Sequence, residues 1–486
     1  MVRGGTGATG AVSTVDGGLK FLSFVLCAVL LSGTSILALP TPLEGTVVVS
    51  NSSSIASGST TTSAIPASET VAPASDDPNY VMWNTTTTSD SSVQAVRIGS
   101  TSSETVNLQP MRGTLGTTIL GQQNMALQAQ NPDTLAPPTT DSGVIPGGNI
   151  KWPMTLSPMR LQTGGWARQQ NINQMPIATS MAGVDMRLEA GAIRELHWHK
   201  TAEWAYVLSG SMQVTSVDQD GRNFLGNVGP GDLWYFPPGI PHSLQATNED
   251  PNGAEFLLVF DNGDFSDDST FQLTDWLAHT PKEVIAKNFG TSLSAWDELP
   301  GKELYIFPGN SPSPDAQAVE DPYGQVPNPF TFKMSNMTAT PLAGGSVKIV
   351  DSRTFPAATA IAVAEVTVEP GGMRELHWHP TQDEWTYYLS GTARVTEFAS
   401  SSTAQTFDFQ AGDVGFVPAT YGHYVENIAN ETLHFLEIFN TDIFQDVSLS
   451  QWLALIPPQL VQAHLQISNE TIASFNKTKQ VVVGPN

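Results

Sequence analysis

The sequence predicts an all-β protein made of two tandem copies of one sandwich or barrel domain, each closed by a few helices. Three observations carry that expectation. First, the chain repeats itself. Arg194-Glu-Leu-His-Trp-His199 returns as Arg374-Glu-Leu-His-Trp-His379, 180 residues on, and His242 returns as His423, 181 residues on. A repeat this long marks two similar domains rather than a solenoid of short units. Second, apolar and polar residues alternate within each copy, the period of a half-buried strand. Third, turn signals recur about every ten residues, as in a β-sandwich or barrel.

Composition bounds the function. The chain has 486 residues, 40% of them apolar, enough for more than one sizeable core. Its net charge of -25 argues against nucleic acid or an anionic membrane as partner. The single cysteine, Cys27, excludes an intrachain disulfide framework and a cysteine-built zinc site. There are nine histidines, none before His197, and six of them fall inside the repeat.

The first 148 residues are expected to lie outside the folded body. Residues 1–39 read as a secretory signal: a polar stretch with Arg3 and Lys20, an apolar run from Phe21 to Leu31, then small residues. The run is short of the ~20 residues needed to span a bilayer, which disfavours a membrane anchor. Cleavage between Ser35 and Pro40 would remove Cys27. Export to the extracellular space or cell wall is also suggested by sequons at Asn51, Asn84, Asn336, Asn430, Asn469 and Asn476. Residues 40–148 form a Ser/Thr-rich low-complexity segment, read as a disordered, O-glycosylated stalk or pro-segment. The stretch from Leu115 to Gln130 could pack on the body. The two folded domains are placed at 149–325 and 326–486.

Within the first copy, Met212, Val214 and Ser216 alternate with polar neighbours, and Asp220-Gly221 signals a hairpin. Leu233 to Pro237 reads as a buried strand ended by the turn Pro238-Gly239. A helix is expected over Val284–Phe289, preceded by a capping box, Thr280-Pro281-Lys282-Glu283, with Pro281 at its first position. Trp452-Leu-Ala and Pro457-Pro458 mark the same place in the second copy.

The histidines then fall into a pattern. On a strand, residues two apart share a face, so His197 and His199 point together, as do His377 and His379. Glu203 follows His199 by four residues and Glu384 follows His379 by five. His242 and His423 come after the proline-bearing turns. Three imidazoles and a carboxylate make a mixed N/O site suited to Mn, Fe, Cu or Zn, with positions left open in a six-coordinate metal.

These residues resemble the cupin motifs. Gly191, His197, His199, Glu203 and Gly210 match the first motif, and Gly231, Pro237, Gly239 and His242 the second. The other copy supplies Gly371, His377, His379, Glu384, Gly391, Gly412, Pro418, His423 and Asn427. Ala246 and Thr420 depart from the usual Asn and Gly. The resemblance implies two tandem cupin domains, each a double-stranded β-helix or jelly-roll barrel. Longer stretches, such as Asp232-Leu-Trp-Tyr-Phe-Pro237 and Thr274 to Pro281, resemble oxalate decarboxylases, which are bicupins, and the expected member is of the secreted fungal type.

That family resemblance implies two Mn per chain, dioxygen as co-catalyst, oxalate as small-molecule substrate and formate plus CO2 as products, with a homo-oligomer left open. Arg194 and Arg374 would pair with a substrate carboxylate. Asp267, in Ser266-Asp-Asp-Ser-Thr270, stands where the family's lid carries a proton-donating glutamate, with Asp268 as fallback. Glu437 matches a second buried glutamate beside the carboxy-terminal metal, where the first copy has Leu258. Trp198, Trp234 and Trp378 would wall the sites. A missing proton donor would turn the outcome to an oxalate oxidase giving CO2 and hydrogen peroxide. A non-catalytic storage or binding bicupin should have lost ligands, and neither set here has.

Overall fold

The computed structural model describes residues 145–400 and 403–485. The signal, nearly all of the Ser/Thr-rich segment, Asn51, Asn84 and the stretch from Leu115 to Gln130 lie outside the described residues. Among the described residues no helix is long and apolar enough to cross a membrane.

Each copy folds into a seven-stranded and a six-stranded antiparallel sheet that together form one barrel. In the first barrel Ile193–Trp198 bears His197, ends just before His199, and is flanked by His242–Ala246 and the short strand Phe271–Gln272. In the second, Met373–Trp378 lies between Gly422–Asn427 and Val447–Ser448. Strands of the six-stranded sheets such as His242–Ala246 and Thr392–Phe398 alternate in burial, whereas strands of the seven-stranded sheets such as Ala182–Leu188 and Ala254–Phe260 are buried at every position.

Sheet membership does not follow the boundary at 325. Lys151–Pro153, at the start of the first copy, pairs with Asp413–Val417 of the second barrel. Thr331–Phe332, at the start of the second, pairs with Leu233–Phe236 of the first. The barrels therefore exchange edge strands. Their seven-stranded sheets also touch through side chains. Trp385 Nε1 donates to Gln170 Oε1 at 2.6 Å. The indole lies so close to Gly183 that a Cβ there would stand 2.2 Å from the ring, so only glycine fits. Tyr206 of the first barrel donates to Glu365 of the second at 3.2 Å, and Glu365 also meets His434 and Lys348, each at 2.9 Å.

The hairpin at Asp220-Gly221 forms as a turn from Asp218 to Gly221, with Gly221 at φ 79° and its N–H donating to Asp218 O at 3.0 Å. The expected capping box does not form. The helix runs Lys282–Phe289, with Pro281 as its N-cap in extended backbone and no side-chain cap. Thr280 instead closes the preceding helix, Leu273–Ala278, donating back to Trp276 O at 2.9 Å.

These helical segments are stapled to the metal-bearing strands by the glutamates next to the arginines. Glu195 accepts from Thr274 N and Oγ1 and from the backbone N–H groups of Leu304 and Tyr305. Glu375 accepts from Ser448 Oγ and Val481 N. Facing outward, these glutamates lock the segments that carry the next layer of the site.

Candidate metal centres and active site

In the first barrel the strand alternation turns His197 and His199 inward, Glu203 opens the strand Glu203–Ser209, and His242 lies directly across from His197. Their ligand atoms all lie within 4.8 Å of one another and all four residues are buried. His199 Nε2 is 3.1 Å and His242 Nε2 3.3 Å from Glu203 Oε2. Trp234 holds the other oxygen, Glu203 Oε1, at 2.8 Å. The second barrel repeats this with His377, His379, Glu384 and His423. There the hydroxyl of Thr386 replaces the indole, donating to Glu384 Oε1 at 2.9 Å.

Every one of the six imidazoles turns Nδ1 to a backbone carbonyl. The acceptors are Glu195, Thr201 and Ile240 in the first barrel and Glu375, Gln445 and Tyr421 in the second, at 2.6–3.0 Å. A proton is thereby fixed on Nδ1 and a lone pair left on Nε2, the tautomer a metal ligand needs. The Nε2 atoms of His242, His377, His379 and His423, and Glu384 Oε2, are buried and make no hydrogen bond. Buried polar atoms are rarely left so; a divalent cation at the focus of each cluster would satisfy them.

The electrostatics agree. Burial pushes the pKa values of His197 and His377 well below the usual imidazole value, and the adjacent Arg194 and Arg374 add to the effect. Burial would raise Glu203 and Glu384, but the facing histidines win and hold both well below the usual carboxylate range. Neutral imidazoles and an ionised carboxylate are the protonation states that bind metal. Three nitrogens and one oxygen without thiolate fit manganese, with open coordination positions remaining.

Comparison with known proteins is consistent with this geometry. A cupin family profile matches residues 157–295 and 335–473. Oxalate decarboxylase OxdC of Bacillus subtilis (strain 168) is 54% identical over 376 residues, covering 77% of this chain and 96% of that protein. A probable oxalate decarboxylase of Arthroderma benhamiae is 44% identical over 375 residues, covering 76% and 91%. This chain belongs to the bicupin oxalate decarboxylase family. Solved structures of the Bacillus enzyme superpose with a TM-score of 0.71 at 53% identity, covering 77% of this chain and 99% of theirs. One of them comes from work assigning the EPR parameters of that enzyme's Mn(II) centres. Another carries a Ser-Glu-Asn-Ser stretch replaced by Asp-Ser-Ser-Asn.

The loop Ser266–Thr270, which the sequence likens to the family's lid, packs against Arg194 in the first barrel. Asp267 opens a 3-10 turn, Asp267–Ser269, and is buried. Its backbone N–H donates to Gln169 Oε1 at 2.9 Å. Arg194 Nη2 donates to Asp267 Oδ1 and to Thr270 Oγ1, both at 3.2 Å, and Nη1 to Gln272 Oε1 at 3.2 Å. The other lid oxygen, Asp267 Oδ2, accepts from the Tyr305 hydroxyl. Burial, and then the charge of Asp267, push the Tyr305 phenol well above its usual value, so it remains a donor. A cavity of about 180 Å³ lies against the lid, lined by Arg160, Gln169, Gln174, Asp267 and Tyr305.

Asp268 does not serve as fallback donor in this conformation. Its side chain is 70% exposed and pairs with Arg160 at 2.9 Å on the outside. Arg374 also departs from expectation. Its Nε donates to Glu437 Oε1 at 3.0 Å and its Nη2 to Asp446 Oδ2 at 2.9 Å, so two carboxylates already hold it and no free fork faces a substrate. Glu437 thus sits in the second barrel as an ion-pair partner, its pKa raised by burial despite Arg374. Trp198 and Trp378, one residue from each histidine, face away from the metals. Trp198 stacks on Phe271 with centroids 5.6 Å apart, and Trp378 meets Trp452 edge-on. Trp234 alone of the three supports a ligand.

Sequence reasoning missed Tyr305 and Asp446. Asp446 follows Phe444 by two residues as Asp267 follows Phe265, a signal that was available. Tyr305 reaches the lid only because its segment docks on Glu195, and no motif announces that.

Proposed function

We propose that this protein is a manganese- and dioxygen-dependent oxalate decarboxylase that converts oxalate to formate and CO2. One observation carries the reading: a buried lid carboxyl, Asp267, sits on Arg194, three residues before His197, with a complete ligand set behind it. When bound, manganese would supply a Lewis-acidic, redox-active centre for one carboxylate of the substrate. In the net reaction hydrogen oxalate becomes formate and CO2; the carbon–carbon bond breaks and one proton ends on carbon. Arg194 orients the substrate by a charge-assisted bond to a carboxylate, exchanging Asp267 for it. Asp267 holds the proton and returns it to carbon. Tyr305 and Thr270 orient the lid, and its closure excludes water.

A second reading, oxalate oxidase, draws support from the same residue. Aspartate is one methylene shorter than glutamate, and Arg194 holds it in this conformation. The assay that tests the proposal is product analysis on manganese-loaded protein in air. Near-stoichiometric formate is expected; CO2 and hydrogen peroxide as the main products would replace the decarboxylase reading with the oxidase.

We infer in addition that the chain is exported and glycosylated. Asn336, Asn430, Asn469 and Asn476 are all exposed, as acceptors must be. Exposed Trp276, Val284, Phe289, Leu455 and Leu460 on the helical segments offer apolar surface for a homo-oligomer. Intact mass before and after deglycosylation, and light scattering, test these two points.

A further inference from the structure

The two barrels differ in one buried group that neither the ligand motif nor the lid explains. On the strand Thr392–Phe398 the inward residues are Ala393, Val395 and Glu397. Glu397 lies directly across from the ligand His423. The same register position in the first barrel, across from His242, is Ser216. Glu397 is 1% exposed, and its Oε2 makes no hydrogen bond. Burial, and then the charge of Glu384, the carboxylate of the second cluster, push the Glu397 carboxyl well above its usual pKa.

An unpartnered buried carboxyl such as that of Glu397 is costly. Arg374 does not relieve it, because its guanidinium is committed to Glu437 and Asp446. A divalent cation at the second cluster would neutralise Glu384, and water in an open position of that cation would give Glu397 a donor. Outer groups of this kind typically change metal affinity 10–100-fold.

Resting on the metal reading of the second cluster, we propose that Glu397 is an outer ligand of the second centre that makes it hold a divalent cation more tightly than the first. Ser216, uncharged and shorter, cannot do the same in the first barrel.

The experiment is manganese titration of chelator-stripped full-length chain, followed by the EPR signal of free Mn(II), in two backgrounds. H197A disables the first site and leaves the second to be read; H377A does the reverse. In the H197A background, Glu397→Gln and Glu397→Ser should each weaken binding about 10–100-fold. In the H377A background the same changes should leave affinity unaltered. Melting of the metal-free protein should stay level or rise in Glu397→Gln, since an unpartnered buried acid is removed, while the gain in melting temperature on adding manganese shrinks. Unchanged affinity of Glu397→Gln in the H197A background overturns the role of Glu397 alone. No manganese uptake at all in that background overturns the metal reading and this proposal together.

Discussion

Thr420 in the second barrel occupies the place of Gly239 in the first, and both take a left-handed backbone, with φ of 72° and 79°. The turn is the same in both: Gly239 N donates to His199 O at 2.9 Å and Thr420 N to His379 O at 2.8 Å. A β-branched residue in this region is strained. No atom stands within 4 Å of where a Cβ on Gly239 would lie, so the cost is conformational rather than steric crowding. Thr420→Gly should stabilise the protein by about 1 kcal/mol and raise its melting temperature by roughly 2–4 °C. Gly239→Thr should do the opposite. Calorimetry of the two variants checks both signs.

The arginines should separate chemistry from stability. Arg194→Lys loses the planar fork facing the lid and should lower kcat about 100-fold with the melting temperature little changed. Arg374→Lys disrupts two buried carboxylate pairs and should cost on the order of 3 kcal/mol of stability. Turnover per folded molecule should fall less than for Arg194→Lys. A larger kinetic loss at Arg374 would move the chemistry to the second barrel.

The lid carboxyl should set the product ratio. Asp267→Glu lengthens the donor and should lower the share of peroxide relative to formate. Asp267→Ala should cut formate production by at least about 100-fold while both metal clusters load normally. Formate and peroxide measured in the same reaction, with metal content by elemental analysis, decide it.

Glu365 should contribute a pH-dependent stability. Burial works against its ionised form, but His434 and Lys348 win and hold its pKa at about 2 against an ordinary 4.5. A carboxyl depressed on folding stabilises fully above its unfolded pKa, and that contribution is lost as pH falls through the folded one. Glu365→Gln should therefore cost on the order of 2 kcal/mol near neutral pH. The difference from wild type should shrink as pH drops from 4.5 towards about 2. Denaturant melts across that range test it; a constant difference would mean that the ion pair contributes nothing.

The metal clusters were legible because strand geometry is local: His197 and His199 share a face whatever else the chain does. Asp267 was singled out only through the likeness of Ser266-Asp-Asp-Ser-Thr270 to the family's lid segment, since nothing local marks a buried carboxyl in an acidic loop. Arg374 was not legible, because it sits in the same six-residue motif as Arg194 and only the surrounding carboxylates, Glu437 and Asp446, distinguish them. The capping box failed for a local reason: the Thr280 hydroxyl is taken by Trp276 O of the preceding helix, and the next helix starts at Lys282 with Pro281 as its N-cap. The exchanged strands, three residues at Lys151 and two at Thr331, are too short to carry a periodic signal.

That exchange bears on how the chain can be born and taken apart. During synthesis the first barrel emerges without its last edge strand, and its opening strand waits for a sheet whose partner, Asp413–Val417, has not yet been made. Neither half is then a complete module. A ribosome stalled near the boundary would present two unsealed sheet edges, the surface on which nascent chains aggregate. In the finished protein the same threading works the other way: a protease nick between residues 308 and 328 would cut the backbone without freeing either barrel, since each keeps a strand of the other.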